Sequence, residues 1–185
     1  MKLMIASDLH GSGRYVEQLL RRYREEQAGR LLLLGDLLYH GPRNSLPDGY
    51  SCPDVIDLLN GMQNHILAVR GNCDSEVDQM VLQFPITADY SILEVNGLTL
   101  YATHGHLWNE NCPPRLNTDY ILLNGHTHIP ACNQHGNYIF INPGSTSIPK
   151  GGSTNSYLVL EDRTFTWKTL AGEPYRTFVV PEAAV

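Results

Sequence analysis

The sequence predicts an α/β sandwich, with helices packed outside two facing sheets. Three observations predict it. Short apolar runs, among them residues 3–6 and 31–34, read as buried strands. Two amphipathic helical stretches alternate with such runs in the first part of the chain. From residue 91 onward the helical period disappears and hairpin signals replace it, which one doubly wound sheet would not require.

The first strand covers residues 3–6 and stops at the polar pair Ser7-Asp8. Residues 14–27 place Val16, Leu19, Leu20 and Tyr23 on one helical face, and Gly29 is a natural C-terminal stop. Residues 31–34 form a second strand, ended by Gly35-Asp36. Residues 39–50 carry two prolines and two glycines and read as a loop. Pro53 opens a second helix, with Val55, Ile56, Leu59 and Met62 as its apolar positions. Residues 66–69 are a third strand. The order β-α-β-α-β predicts parallel pairing with right-handed crossovers.

In the second half, residues 91–95 and 99–103 flank Asn96-Gly97, a strong hairpin signal. Residues 121–123 and 138–141 are short strands. Residues 157–160 and 164–168 form a further hairpin around Asp162-Arg163. The pattern is weak from Gly172, and residues 181–185 read as a frayed tail. Residues 1–185 show no linker or internal repeat, so one domain is expected.

Composition narrows the function. Charged residues are 17% of the chain and the net charge is −6, which excludes a broad basic surface for long nucleic acid. The opening apolar run is too short for a signal h-region, and no stretch approaches a membrane span. Four cysteines fall in no CxxC pair and read as free thiols in a reducing cytoplasm. The strand edges leave room for a dimer or tetramer.

Eight histidines are many for this composition, and their placement is informative. Each apolar strand ends in metal-ligand residue types: Asp8-Leu9-His10, Gly35-Asp36, Gly71-Asn72, His104-Gly105-His106 and Gly125-His126-Thr127-His128. Ligands in α/β sheets gather beyond the carboxyl ends of strands, so these ends can converge. Imidazole mixed with carboxylate suits Mn²⁺, Fe, Zn²⁺ or Co²⁺ better than Ca²⁺ or Mg²⁺. Asp8, His10, Asp36, Asn72, His104, His126 and His128 are too many donors for one ion and suit two sharing a bridge.

These motifs, with Asp74 completing Gly71-Asn72-Cys73-Asp74, resemble the signature of the calcineurin-like metallophosphoesterases, in the small bacterial and archaeal branch. The resemblance runs in the family's order from Lys2 to about Ser145. It implies a four-layer αββα sandwich of two mixed sheets flanked by helices. It also implies two divalent ions, first of all Mn²⁺, with Zn²⁺, Fe²⁺, Co²⁺ or Ni²⁺ as alternatives. Asp8, His10, Asp36 and His128 would hold one. Asp36, Asn72, His104 and His126 would hold the other. A hydroxide bridging such ions would attack phosphorus in a small phosphodiester.

Many family members have His directly after the motif Asn, where it serves the leaving group. Here Cys73 stands there. A thiol is a poor general acid, so good leaving groups and diesters are favoured over alkyl monoesters. Equally, Cys73 packs only, and His106 or a metal-bound water gives the proton. Asn72, Cys73, Asp74 and His106 are the candidate catalytic residues. His40, Arg43 and Asn44, in the loop after Asp36, are candidate substrate contacts, with Arg43 suited to a bidentate grip on phosphate. The competing readings are a protein-binding scaffold, which would lose part of the ligand set, and a phosphomonoesterase, which Cys73 opposes.

Overall fold

Residues 1–181 are described by the computed structural model, and residues 182–185 of the expected tail lie outside the described residues. The two sheets are both mixed. The first runs β11-β10-β9-β1-β2-β3 and the second β4-β5-β6-β8-β7. β1 (Leu3–Ala6), β2 (Arg30–Leu33) and β3 (Ile66–Ala68) pair in parallel, with Met4 opposite Leu31 and Leu32 opposite Leu67. β9 (Ser156–Glu161) returns antiparallel to β1 and carries β10 (Thr164–Thr169) and β11 (Pro174–Val179).

In the second sheet, β5 (Leu98–Thr103), β6 (Tyr120–Leu123) and β8 (Tyr138–Asn142) are parallel, edged by β4 (Tyr90–Val95) and β7 (Ala131–Gln134). Asn96 and Gly97 join β4 to β5 with φ of 53° and 72°, as the expected hairpin requires.

Strand alternation builds the layers. Leu3, Ile5, Leu32 and Leu34 face Leu100, Ala102, Ile121, Leu123 and Ile141 between the sheets. Met4, Ala6, Leu31 and Leu33 point the other way, onto Val16, Leu19 and Leu20 of α1 (Gly13–Glu26) and Val55 and Leu59 of α2 (Cys52–Asn60). β1 and β2 are therefore apolar throughout because both faces are covered. Among the described residues no helix follows Val81. The outer face of the second sheet is instead closed by Tyr101, Tyr120, Leu122 and Phe140, with Leu116 and Tyr138 packed against them. Irregular chain and aromatic side chains thus contribute to the cover on this flank.

Three elements lie outside the sequence pattern, for a common reason. α3 (Glu76–Val81) buries no residue and is held by a capping box between Ser75 and Asp78. β7 and β11 are edge strands with largely exposed side chains, so neither shows an apolar alternation. The end of α1 also differs: Gln27, in the left-handed region at φ 53°, caps it instead of Gly29.

Glu26 closes α1 onto the first sheet. It accepts from Tyr157 Oη at 2.9 Å and Lys168 Nζ at 2.6 Å. Burial pushes its pKa up, but Lys168 and Tyr157 outweigh burial and hold it below the usual value. A depressed carboxyl pKa stabilises the fold above the unfolded value and loses that contribution as pH falls through the folded one. Urea midpoints should therefore drop below about pH 4.5 in the wild type, and Glu26→Gln should flatten that slope.

Candidate metal centre

Segments that follow β1, β2, β3, β6 and β8 line one cleft of about 310 Å³. β1 leads to Asp8 and His10, β2 to Asp36, β3 to Asn72, β5 to His104, and β6 to His126 and His128. Asp8, His10, Asp36, His104 and His128 are buried, whereas Asn72 is exposed and His126 half-buried. All seven sequence-predicted donors are brought together.

The close approach of these loops depends on glycine. A Cβ on Gly125 would lie 1.8 Å from Ser7 Oγ and 2.7 Å from Asp8 Oδ2. A Cβ on Gly71 would lie 2.1 Å from Asp36 Oδ1. The donor backbone is itself unusual. Asp8, His10, Asp36, His126 and His128 all have φ between 44° and 65°, a left-handed conformation costly for non-glycine residues. Such strain persists where surrounding structure over-determines it, and it clusters at functional sites.

The donors form two groups that meet at Asp36. In one, His128 Nε2 lies 3.2 Å and His10 Nε2 3.6 Å from Asp8 Oδ1, and His10 Nε2 is 3.7 Å from Asp36 Oδ2. In the other, His104 Nε2 lies 3.4 Å from Asp36 Oδ2, 3.0 Å from Asn72 Oδ1 and 3.3 Å from His126 Nδ1. Ligand atoms of Asp8, His10 and His128 lie within 4.8 Å of one another, as do those of Asp8, Asp36 and His104.

The outward face of each ring sets which nitrogen looks inward. Nδ1 of His10, His104 and His128 faces the carbonyls of Tyr39, Leu34 and Ile148 at 2.8, 2.6 and 2.6 Å. Each Nδ1–H donates there, which leaves Nε2 turned to the carboxylates. Asp8 Oδ2 accepts from the His126 amide at 3.0 Å, while the buried Asp8 Oδ1 has no hydrogen-bond partner among the described residues. Facing ring nitrogens and carboxylate oxygens are satisfied by ring protons or by a shared cation. Protons leave a clear trace: burial pushes His104 down, but Asp36 and Asp8 outweigh it and raise the ring to about 9. His10 is raised against burial by Asp8, and Asp8 is held well below its usual range against burial by His10 and His128. The orphaned oxygen, the converging Nε2 atoms and the hard-plus-borderline donor set fit divalent metal ions.

The other expected residues separate. Cys73, Arg43 and Asn44 line the cleft. Burial and Asp36 push the Cys73 thiol up to about 12, so it holds its proton and is a poor donor to a leaving group. Asp74 is not turned to the cleft. Its Oδ2 accepts from the amides of Asp36 and Gly71 at 2.9 and 2.7 Å, and its Oδ1 from Leu37 at 2.8 Å. It staples two donor loops together rather than meeting substrate. Asp74→Ala strands three buried amides and should cost about 3 kcal/mol or more by urea unfolding, with Asp74→Asn recovering part.

His40 is seated edge-on to Tyr39 and Tyr50, with ring centroids at 4.8 and 5.5 Å, and lies off the lining of the cleft. His106 also lies off the lining, behind His104 and His126 with ring centroids at 5.5 and 6.3 Å.

The segment after β8 supports the site in a way its turn-like sequence does not announce. Ser145 Oγ and Ser147 Oγ each donate to the Asp8 carbonyl at 2.9 Å, and Asn142 Nδ2 donates to the Gly125 carbonyl at 2.6 Å. Lys150, three residues beyond Ser147, joins the cleft lining.

Residues 1–164 match the calcineurin-like phosphoesterase superfamily domain. The chain belongs to that family. Over 162 residues it is 49% identical to phosphodiesterase YfcE of Escherichia coli (strain K12), spanning 88% of each chain. The solved structure of YfcE, a phosphoesterase from E. coli, superposes with a TM-score of 0.94 at 44% identity, covering 98% of this chain and all of that one. Vps29 from Entamoeba histolytica shares the fold at a TM-score of 0.61 and 21% identity, over 90% of each chain. Membership of this metallophosphoesterase family implies divalent metal binding, and the paired donor groups are where this chain offers it. Among the described residues no helix is long and apolar enough to cross a membrane.

Proposed function

We propose that this metallophosphoesterase hydrolyses a small phosphodiester at a two-metal centre. The chain is a phosphoric diester hydrolase of the YfcE type. The single observation that carries the two-metal reading is the shared position of Asp36. Its Oδ2 faces His10 of one donor group and His104 of the other.

Asp8, His10, Asp36 and His128 would hold one ion, and Asp36, Asn72, His104 and His126 the second. When bound, such ions supply a water acidic enough to ionise near neutral pH and a Lewis-acid clamp for in-line displacement. The chain's residues do the rest. Tyr39, Leu34 and Ile148 carbonyls orient the rings, and the Cys73 amide donates to Asp36 Oδ1 at 2.8 Å and fixes that carboxylate. Arg43 and Asn44 line the cleft beside these donors. The modest cleft and the charge of −6 favour a small diester over a long nucleic acid. The full donor set speaks against a pure scaffold.

Cys73 sets the preference. With no side-chain acid facing the cleft at this position, the leaving group departs largely unassisted, which favours aryl and nucleotidyl diesters. General acid catalysis contributes about 10²–10⁴-fold, so Cys73→His should raise alkyl monoester turnover by about tenfold or more and leave aryl diester turnover within a few-fold. Metal-supplemented assays of a chromogenic diester beside its matched monoester test both points. No metal-dependent turnover of either by the wild type refutes the enzyme, and unchanged rates on both in Cys73→His refute the leaving-group reading.

A further inference from the structure

The cleft carries more positive charge than one diester needs. Arg43 and Lys150 both line it, from different segments of the chain. Both are exposed, and among the described residues neither side chain has a hydrogen bond or an ion pair, unlike Lys2, Arg14, Arg22, Arg70 and Lys168. Their backbones are nonetheless anchored. The Lys150 amide donates to the His128 carbonyl at 3.1 Å, and its own carbonyl accepts from Ser153 Oγ at 2.6 Å. Next to Arg43, Asn44 Nδ2 donates to the His40 carbonyl at 2.9 Å. Among the described residues Asp36 is the sole acid in the lining.

A diester phosphate carries one negative charge, and metal ions over Asp8 and Asp36 already answer it. Two unpaired cations on anchored segments at the rim of the same cleft are then left for a second anion. Unpaired cations held in a cleft raise the local concentration and affinity of such a group, and guanidinium suits phosphate oxygens bidentately.

Resting on the phosphodiesterase reading, we propose that the substrate is a diphosphate-linked diester, whose second phosphoryl group is held between Arg43 and Lys150. A monoester does not meet this requirement, since its second charge sits on the reacting phosphorus itself.

The test compares two esters with the same leaving group, both bearing nitrophenyl: a nucleoside monophosphate nitrophenyl ester and the corresponding nucleoside diphosphate nitrophenyl ester. Wild-type enzyme with Mn²⁺ should show kcat/KM about tenfold or more higher for the diphosphate ester at low salt, mostly through KM, with the advantage shrinking as salt screens it. In Lys150→Met and in Arg43→Met the ratio between the two esters should fall towards one. Calorimetric titration with α,β-methylene adenosine diphosphate should show a Kd at least tenfold weaker in the double variant. An equal loss on both esters, an unchanged ratio, or unchanged analogue binding overturns the second-phosphate site. Absence of metal-dependent turnover of the monophosphate ester by the wild type is a separate outcome, and it overturns the phosphodiesterase reading instead.

Discussion

Asp36→Asn should abolish metal-dependent diester hydrolysis, by on the order of 10³-fold or more, the scale of removing a preorganised charge clamp. The reason is geometric. Asp36 Oδ2 lies 3.4 Å from His104 Nε2 and 3.7 Å from His10 Nε2, so it faces both donor groups. Its Oδ1 accepts from the Cys73 amide, a bond that the asparagine oxygen can keep. The variant should fold, and its loss should appear first in metal content measured by mass spectrometry. The proposed two ions per wild-type chain should fall to one or fewer. His126→Ala should be milder, because His126 is only half-buried. Equal metal content in Asp36→Asn and wild type would refute the bridging role.

The second large effect is expected at a residue with no chemistry of its own. Gly125→Ala drives a methyl group to within 1.8 Å of Ser7 Oγ and 2.7 Å of Asp8 Oδ2. Both neighbours are fully buried at the end of β1, so neither has room to retreat. Overpacking a rigid interior costs about 1–3 kcal/mol and sometimes more. Here about 3 kcal/mol is expected, or a fall in Tm of about 6–12 °C for a chain of this size. Metal affinity should fall with it, since Asp8 belongs to the candidate donor groups. Ser7 Oγ has no hydrogen-bond partner among the described residues, so Ser7→Ala alone should be nearly neutral. Combined with Gly125→Ala it should recover a large part of the lost stability. A double-mutant cycle with no coupling would show that the clash is relieved elsewhere.

The sequence alone carried most of the architecture. β1, β2, β5, β6 and β8 were legible because apolar runs stop abruptly at Asp, Asn or His. Buried parallel strands leave that pattern, and ligand-bearing loops follow them. α1 and α2 were legible from their amphipathic period. α3, β7 and β11 were not, because elements that bury little carry no hydrophobic signal.

For the site, the sequence by itself determined the donor chemistry: which residue types stand at each strand end, and that their number suits two ions. Only the tertiary structure decided their roles. Backbone carbonyls chose Nε2 as the inward nitrogen of three histidines, because each Nδ1–H has its own acceptor. The amides of Asp36, Leu37 and Gly71 claimed Asp74 for support, although its motif neighbours Asn72 and Cys73 face the cleft. Lys150, remote in the chain from Arg43, came to the same cleft through the turn after Ser147. Residue type is a local property and shows in a sequence. Which atom faces which is set by partners far away in the chain, and only folding brings them together.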